Sequence, residues 1–230
     1  MKTITYSEHE QCFIKVVEPD QITQNVVVIL IHGGYWRMEK TLETVADAQS
    51  FFVEAGYIVC NVEYRRGPEN PWPIPSNDVK EAIKKIKVCF PNYHYALIGH
   101  SVGGQLALLN AESSDYVIAL APVTDLIYTR DMRLGDEAVQ EYFAEEINDS
   151  VLVSASPISQ LPLKADAALI IHGANDVRVD IKTTIDYFQE NLKNKNNIEL
   201  LILPEMAHQD IIHPDETHFS YLLNWLDTIV

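Results

Sequence analysis

The pentapeptide Gly99-His100-Ser101-Val102-Gly103 sets a serine between glycines, directly after the apolar run Tyr95–Ile98. A serine hydroxyl attacks a carbonyl only when a base takes its proton and the backbone holds it clear of its neighbours. A strand turning sharply into a helix meets the second need, because glycines relieve the crowding and the helix amino end faces the reacting oxygen. On this reading Ser101 is the nucleophile and the Val102 amide is one donor to the oxyanion. A helix cap at Ser101, with glycines serving only packing, is the alternative. The strand–turn–helix context favours the nucleophile.

A second glycine-rich turn, His32-Gly33-Gly34-Tyr35-Trp36, follows the apolar run Val26–Ile31. Gly34, with Tyr35, can supply the remaining oxyanion donors, and His32 reads as an organiser of the loop. A serine nucleophile needs a histidine base, and that histidine needs an orienting acid. Asp176 follows the strand-like Ala167–Ile171 within His172-Gly173-Ala174-Asn175-Asp176, and His208 comes first after the last apolar run. The order Ser101, Asp176, His208 is the one a strand–turn–helix nucleophile calls for. His213 is the alternative base, although His213 before Pro214 and His218 before the final helix fit capping or packing better. His9, His94, His100 and His172 are assigned to surface, turn or supporting positions. Trp36, Trp72, Tyr128, Tyr142 and Phe143 are candidates for an aromatic substrate pocket, and packing explains each of them equally well.

These residues need strand ends to hold them. Cys12–Val17, Val26–Ile31, Ile58–Val62, Tyr95–Ile98, Val117–Ala121, Ala167–Ile171 and Ile198–Leu203 are short apolar runs. Near-continuous hydrophobicity suits parallel strands covered on both faces. Helical patterns lie between them: Thr41–Ala55 stopped by Gly56, a helix capped by Ser76 or Asn77, and a helix over Gln105–Ala111. Alternation of this kind predicts one α/β domain, a doubly wound and mostly parallel sheet of about seven strands with one antiparallel pairing at the amino end. Residues 123–165 interrupt the pattern between the fold's sixth and seventh strands. They have the length for a small helical cap, or for a plain pair of surface helices.

Composition narrows the partners. Seventeen Lys and Arg against 33 Asp and Glu give a formal charge of -16, which opposes a general nucleic-acid or anionic-membrane binder. Cys12, Cys60 and Cys89 are far apart and outside any CxxC pattern, so reduced thiols and a cytoplasmic location are expected. The amino end MKTITYSEHEQ lacks an apolar leader, and no run is long enough to span a membrane. Neither HExxH nor a nucleotide-binding glycine loop is present, so no metal and no cofactor are expected. The expected partner is a small-molecule ester or amide substrate. The oligomeric state is not readable from the pattern.

From about Val26 onward the chain resembles the compact esterase and lipase branch of the α/β-hydrolase superfamily, including sequences compared with prolyl oligopeptidase catalytic domains. VVVILIHGGYW, VEYRRGPENPWP with the SNDVKEAI segment, LIGHSVGG, LIIHGANDVRV and LPEMAH carry the likeness. It implies the α/β-hydrolase fold, an oxyanion loop at Gly34, nucleophile Ser101, acid Asp176 and base His208. HGGYW departs from the HGGG of many hormone-sensitive-lipase-like esterases and is similar to the HGGxW loop of kynurenine formamidases. The 230 residues leave no room for the propeller of full prolyl oligopeptidases. A serine hydrolase of carboxylesterase type, acting on a small carboxylic ester, is the implied function. Hydrolysis of an aryl formamide such as N-formylkynurenine, and a non-enzymatic binding protein on the same fold, are the alternatives.

Overall fold

Val27, Ile29 and Ile31 pack into one hydrophobic core, while Val26, Val28 and Leu30 pack into another. Successive strand residues point to opposite faces, so this apolar run lies in a sheet covered on both sides. In the computed structural model, which describes residues 2–215 and 217–229, that sheet has eight strands in the order β1-β2-β4-β3-β5-β6-β7-β8. They are β1 (Lys2–Thr5), β2 (Phe13–Val17), β3 (Val26–Ile31), β4 (Ile58–Val62), β5 (His94–His100), β6 (Asp115–Leu120), β7 (Ala167–Gly173) and β8 (Ile198–Leu203). This is the α/β-hydrolase fold.

The helices divide between the faces. Phe52 of α1 (Ala46–Glu54) joins Phe219, Leu222 and Trp225 of α8 (Thr217–Ile229) on one side. On the other lie α2 (Ile74–Cys89), through Val79, Ile83 and Ile86, then α3 (Val102–Asn110) and α7 (Ile181–Lys193). The Val79–Ile83–Ile86 spacing gives α2 its inward stripe.

Three details correct the expectations. The sheet has eight strands because Lys2–Thr5 pairs antiparallel with β2. KTIT is short and mostly exposed, so it carries no apolar signal. The amino end accordingly makes two antiparallel pairings, β1 with β2 and β2 with β4. Finally, α2 starts at Ile74, ahead of Ser76 and Asn77, with no side-chain cap. Pro75 fits its first turn because that position needs no N–H donor. Asp78 of α2 accepts two bonds from the Arg65 guanidinium at 2.7 and 2.8 Å.

Between β6 and β7 the chain forms a helical cap from α4 (Leu126–Asp131), α5 (Leu134–Phe143) and α6 (Asp149–Ala155). The start of α5 is not right-handed: Gly135, Asp136 and Glu137 have φ of 65°, 59° and 58°. A Cβ on Gly135 would fall 2.3 Å from the Tyr35 ring, so only glycine lets the cap close onto the loop after β3. Gln105 of α3 ties the cap down by donating to the Ala155 carbonyl at 2.7 Å.

Candidate active site

Ser101 stands between β5 and α3 with φ 57° and ψ −119°. A non-glycine residue at positive φ is sterically costly and persists where the surroundings enforce it. Here close approach on both sides does so. A Cβ on Gly103 would lie 2.0 Å from the Ile31 carbonyl oxygen, and one on Gly99 would lie 2.1 Å from the Gly103 carbonyl oxygen. The Ser101 N–H donates to Leu120 across the parallel strands at 2.8 Å, pinning the turn to β6. Val102 opens α3, and the first helical residues have no intrahelical acceptor for their N–H groups. Ser101 Oγ is buried and makes no hydrogen bond to the described residues.

Asp176 lies beyond β7 and His208 beyond β8. His208 Nδ1 is 2.6 Å from Asp176 Oδ2, while Asp176 Oδ1 accepts from the Arg178 and Val179 amides at 2.8 and 2.9 Å. Burial works to raise the Asp176 carboxyl, but hydrogen bonds from His172 and His208 prevail and hold it far below the usual carboxylate range. The carboxylate acceptor implies that His208 Nδ1 carries a proton, which leaves Nε2 able to take another. His213 is exposed and ends a short helical turn, and His218 is buried with Nε2 donating to the Ile211 carbonyl at 2.7 Å. Neither lines the cleft beside Ser101.

Two further histidines support this pair. His100 Nε2 donates to the His208 carbonyl at 2.9 Å, and the rings lie 4.7 Å apart. Burial, followed by the charge His208 can carry, pushes His100 down to about 3, so it remains neutral at pH 7. His172 sits behind Asp176, with Nε2 3.1 Å from the Val179 carbonyl and 3.3 Å from Asp176 Oδ2.

A cleft of about 320 Å³ joins Ser101 and His208 to Gly33, Gly34 and Tyr35. Its remaining walls are polar: Arg37, Lys40 and Arg178 against Glu39 and Asp136. Arg37 is engaged by Glu141 of the cap at 2.6 and 3.0 Å, and Arg178 meets Asp136 at 3.4 Å. Lys40 is exposed at the cleft, and its stem packs on Gly34, where a Cβ would lie 2.2 Å away. The Tyr35 hydroxyl donates to the Arg178 carbonyl at 3.0 Å, so one side chain links the β3 loop to the Asp176 loop.

The structure brings Ser101, Asp176, His208, Gly34, Tyr35 and Val102 together at the carboxyl ends of β3, β5, β7 and β8. It does not bring the five aromatic candidates into that cleft. Trp36 is 1% exposed, stacks on Tyr142 at 4.9 Å and meets Phe143 edge-on at 5.7 Å. Trp72 donates to Ser154 at 3.0 Å and lines a separate cavity, and the Tyr128 hydroxyl donates to Asp180 at 2.7 Å. Positive φ at Tyr35 and Trp36, 51° and 58°, turns the loop so that tryptophan packs beneath the cap. The HGGYW pattern could not reveal that direction.

Sequence reasoning missed Lys40, Arg178 and Glu63. Glu63 was visible as a charge at the end of an apolar strand, and it proves to be buried against His32 and Arg66. Among the described residues no group of three or more His, Cys, Asp or Glu could hold a metal ion. No helix there is long and apolar enough to cross a membrane.

Comparison with known proteins adds lineage. The chain is 28% identical over 178 residues to Esterase LipQ of Mycobacterium tuberculosis, covering 66% of this chain and 42% of that protein. It is 28% identical over 110 residues to the Kynurenine formamidase of Debaryomyces hansenii, covering 46% of this chain and 38% of that one. The chain thus spans less than half the length of both curated relatives. Among solved structures, the acetyl ester-xyloside bifunctional hydrolase of Caldicellulosiruptor lactoaceticus matches with a TM-score of 0.83, 16% identity, and coverage of 99% and 96% of the two chains. At that identity the likeness is one of fold. The BD-FAE family model matches residues 15–192, and the chain belongs to the BD-FAE family.

Proposed function

We propose that this chain is a serine hydrolase acting on small carboxylic esters, with Ser101 as nucleophile, His208 as base and Asp176 as the acid that orients it. The observation that carries the reading is the 2.6 Å contact between His208 Nδ1 and Asp176 Oδ2, beside a serine held at φ 57° between a strand and a helix. His208 Nε2 takes the Ser101 proton as Oγ attacks the substrate carbonyl. The amides of Val102 and Gly34, with Tyr35 as a further candidate, receive the developing oxyanion. His208 then returns the proton to the leaving alcohol, and water repeats the sequence on the acyl-enzyme.

The polar cleft supports a short acyl group carried on a hydrophilic alcohol. It offers Lys40 and Arg178 as donors, with Glu39 and Asp136 as acceptors. Two proteins of the same fold, an acetyl ester-xyloside hydrolase and a carbohydrate esterase from gut microbiota with a TM-score of 0.82, are each 16% identical to this chain; they set a precedent for such esters on this fold and no more. The formamidase reading rests on HGGYW and the fungal relative, but Trp36 packs away from the cleft and offers no aromatic wall. The test is a ranking of kcat/KM over short acyl esters, formyl-aryl amides and short peptides, since specificity is a ratio of transition-state affinities. Labelling by a fluorophosphonate separates either enzyme from a binding protein. A folded chain that takes no label while a control hydrolase reacts would remove the hydrolase reading.

A further inference from the structure

Two cavities lie against one stretch of the loop after β3. One is the cleft at Ser101, of about 320 Å³. The other, of about 220 Å³, is walled by Trp36, Met38, Gly67, Pro68, Glu141 and Tyr142. Tyr35, Arg37 and Glu39 line both, so these three residues separate them. Glu39 is exposed and Arg37 is half-buried. Tyr35 is only 5% exposed and forms the inner part of the partition.

The Tyr35 ring is fixed at its far end. Its hydroxyl donates to the Arg178 carbonyl at 3.0 Å. Gly135 of the cap leaves the space that the ring edge fills, since a Cβ there would lie 2.3, 2.4 and 2.6 Å from Cζ, the hydroxyl oxygen and Cε1. Burial, followed by the Asp176 charge, raises the phenol above its ordinary range, so it stays protonated and donates. Among the described residues no aliphatic side chain lines the cleft at Ser101. The cavity behind Tyr35 has the apolar surface that the cleft lacks, in Trp36, Met38, Pro68 and Tyr142.

We infer that the Tyr35 ring sets the length of acyl chain this site accepts, by closing the Ser101 cleft off from the apolar cavity beside it, an inference that rests on the serine-hydrolase reading. His208 returns a proton to the leaving alcohol, so the alcohol faces His208 and the exposed rim at Lys40, and the acyl chain turns inward to the buried Tyr35. An acetyl group ends before the ring. A longer chain meets it, and the ring has no room to swing aside while Gly135 and the Arg178 carbonyl hold its end. Without the ring the two cavities join, and Trp36, Met38 and Tyr142 become walls for the chain.

The test is kcat/KM for the para-nitrophenyl esters of acetate and hexanoate, measured on the full chain. Wild type favours the acetate by at least about 10-fold. Equal efficiency, or a preference for hexanoate, overturns the inference whether or not any variant folds. Tyr35→Ala raises the hexanoate-to-acetate ratio at least about 10-fold, because each methylene buried favours binding by about 4-fold. Tyr35→Phe keeps the ring, loses the bond to Arg178 and holds the ratio within about 3-fold of wild type. If alanine lowers both esters alike, or phenylalanine moves the ratio as far as alanine does, Tyr35 only ties loops together and the inference fails. Adding Met38→Glu to Tyr35→Ala puts a charge in the joined cavity and removes most of the gain on hexanoate. A gain that persists puts the chain elsewhere and overturns the assignment of that cavity. If Ser101→Ala is inactive while Tyr35→Ala leaves the ratio unmoved, the inference fails and the site reading stands. If Ser101→Ala remains active, the site reading fails and takes the inference with it.

Discussion

His208 Nδ1 and Asp176 Oδ2 meet at 2.6 Å although 32 residues separate them, one after β8 and the other after β7. The parallel pairing of these strands, His172 with Ile202 and Gly173 with Leu203, delivers both loops to the same edge of the sheet. Ligands bind at such carboxyl edges in open α/β sheets. Asp176 is further constrained by the Arg178 and Val179 amides on its other oxygen. Asp176→Asn keeps an oxygen for those amides but presents an NH₂ group to His208 Nδ1. The expected result is a folded protein with kcat reduced by about 10³–10⁴-fold, because the histidine is held in the wrong tautomer. Steady-state kinetics with circular dichroism checks it, and a loss below about 10-fold would remove Asp176 from the role.

Ser101→Ala deletes the hydroxyl at the strained turn. Alanine tolerates φ 57° poorly, but serine carries the same strain, so the fold is expected to survive. Turnover of the best ester should fall at least about 10³-fold, leaving only binding and oxyanion effects. A purified variant retaining near-wild-type turnover would dismiss Ser101 as nucleophile.

Replacing His208 with Ala should abolish both acylation and fluorophosphonate labelling, whereas His213→Ala should retain at least one of them. His213 is exposed and its amide merely closes the turn to Asp210 at 3.0 Å. Thermal melts must accompany the assays, because His208 is buried beside His100. If only the His213 variant lost both reactions while folded, the two roles would be exchanged.

Stability should depend on pH through His100. Burial and the neighbouring His208 lower it from 6.5 to about 3, so the unfolded chain takes up this proton first as pH falls. Stability is therefore fully present above about 6.5 and declines as pH drops toward 3, by at most about 1.4 kcal/mol per pH unit for one group. His100→Gln places an amide N–H where Nε2 donates to the His208 carbonyl and removes the titration. Urea unfolding at pH 7 and pH 5 should show a larger loss for wild type than for the variant. Equal losses would place the titration elsewhere.

The legible parts of this protein are those where one residue type answers one local demand. Gly99, Ser101 and Gly103 announced the turn because close backbone approach tolerates no larger residue, as the 2.0 Å and 2.1 Å Cβ approaches show. The apolar runs announced the central strands because both faces are covered. Lys2–Thr5 did not, since an exposed edge strand carries no apolar pattern. Glu63 and Lys40 escaped notice for a different reason. A charge means burial or solvent only once its partners are known, and those partners are 31 residues away for Glu63 and His32. The aromatic residues misled because Trp36 is adjacent in sequence to a cleft residue, and only the positive φ at Tyr35 and Trp36 decides which way each ring goes.

Trp36 is packed against Tyr142 and Phe143, so Trp36→Ala should destabilise the chain by about 3–5 kcal/mol, the usual cost of deleting a large buried side chain. It should leave the ratio of kcat/KM for N-formylkynurenine over a short ester within about 3-fold of wild type, because no substrate contact is lost. A collapse of that ratio in the folded variant would restore Trp36 to the substrate site and revive the formamidase reading. Lys40 is placed differently. It lines the cleft, is exposed and packs its stem on Gly34, which sets its ammonium where a polar substrate can meet it. Wild-type enzyme should therefore cleave the acetyl ester of a monosaccharide at least about 10-fold more efficiently than that of an apolar alcohol of similar size, about 1.4 kcal/mol of discrimination. Lys40→Met keeps the packing stem and removes the charge, and it should narrow that preference chiefly by lowering efficiency on the sugar ester. If both esters lose activity equally, Lys40 supports the loop through Gly34 and does not read the alcohol.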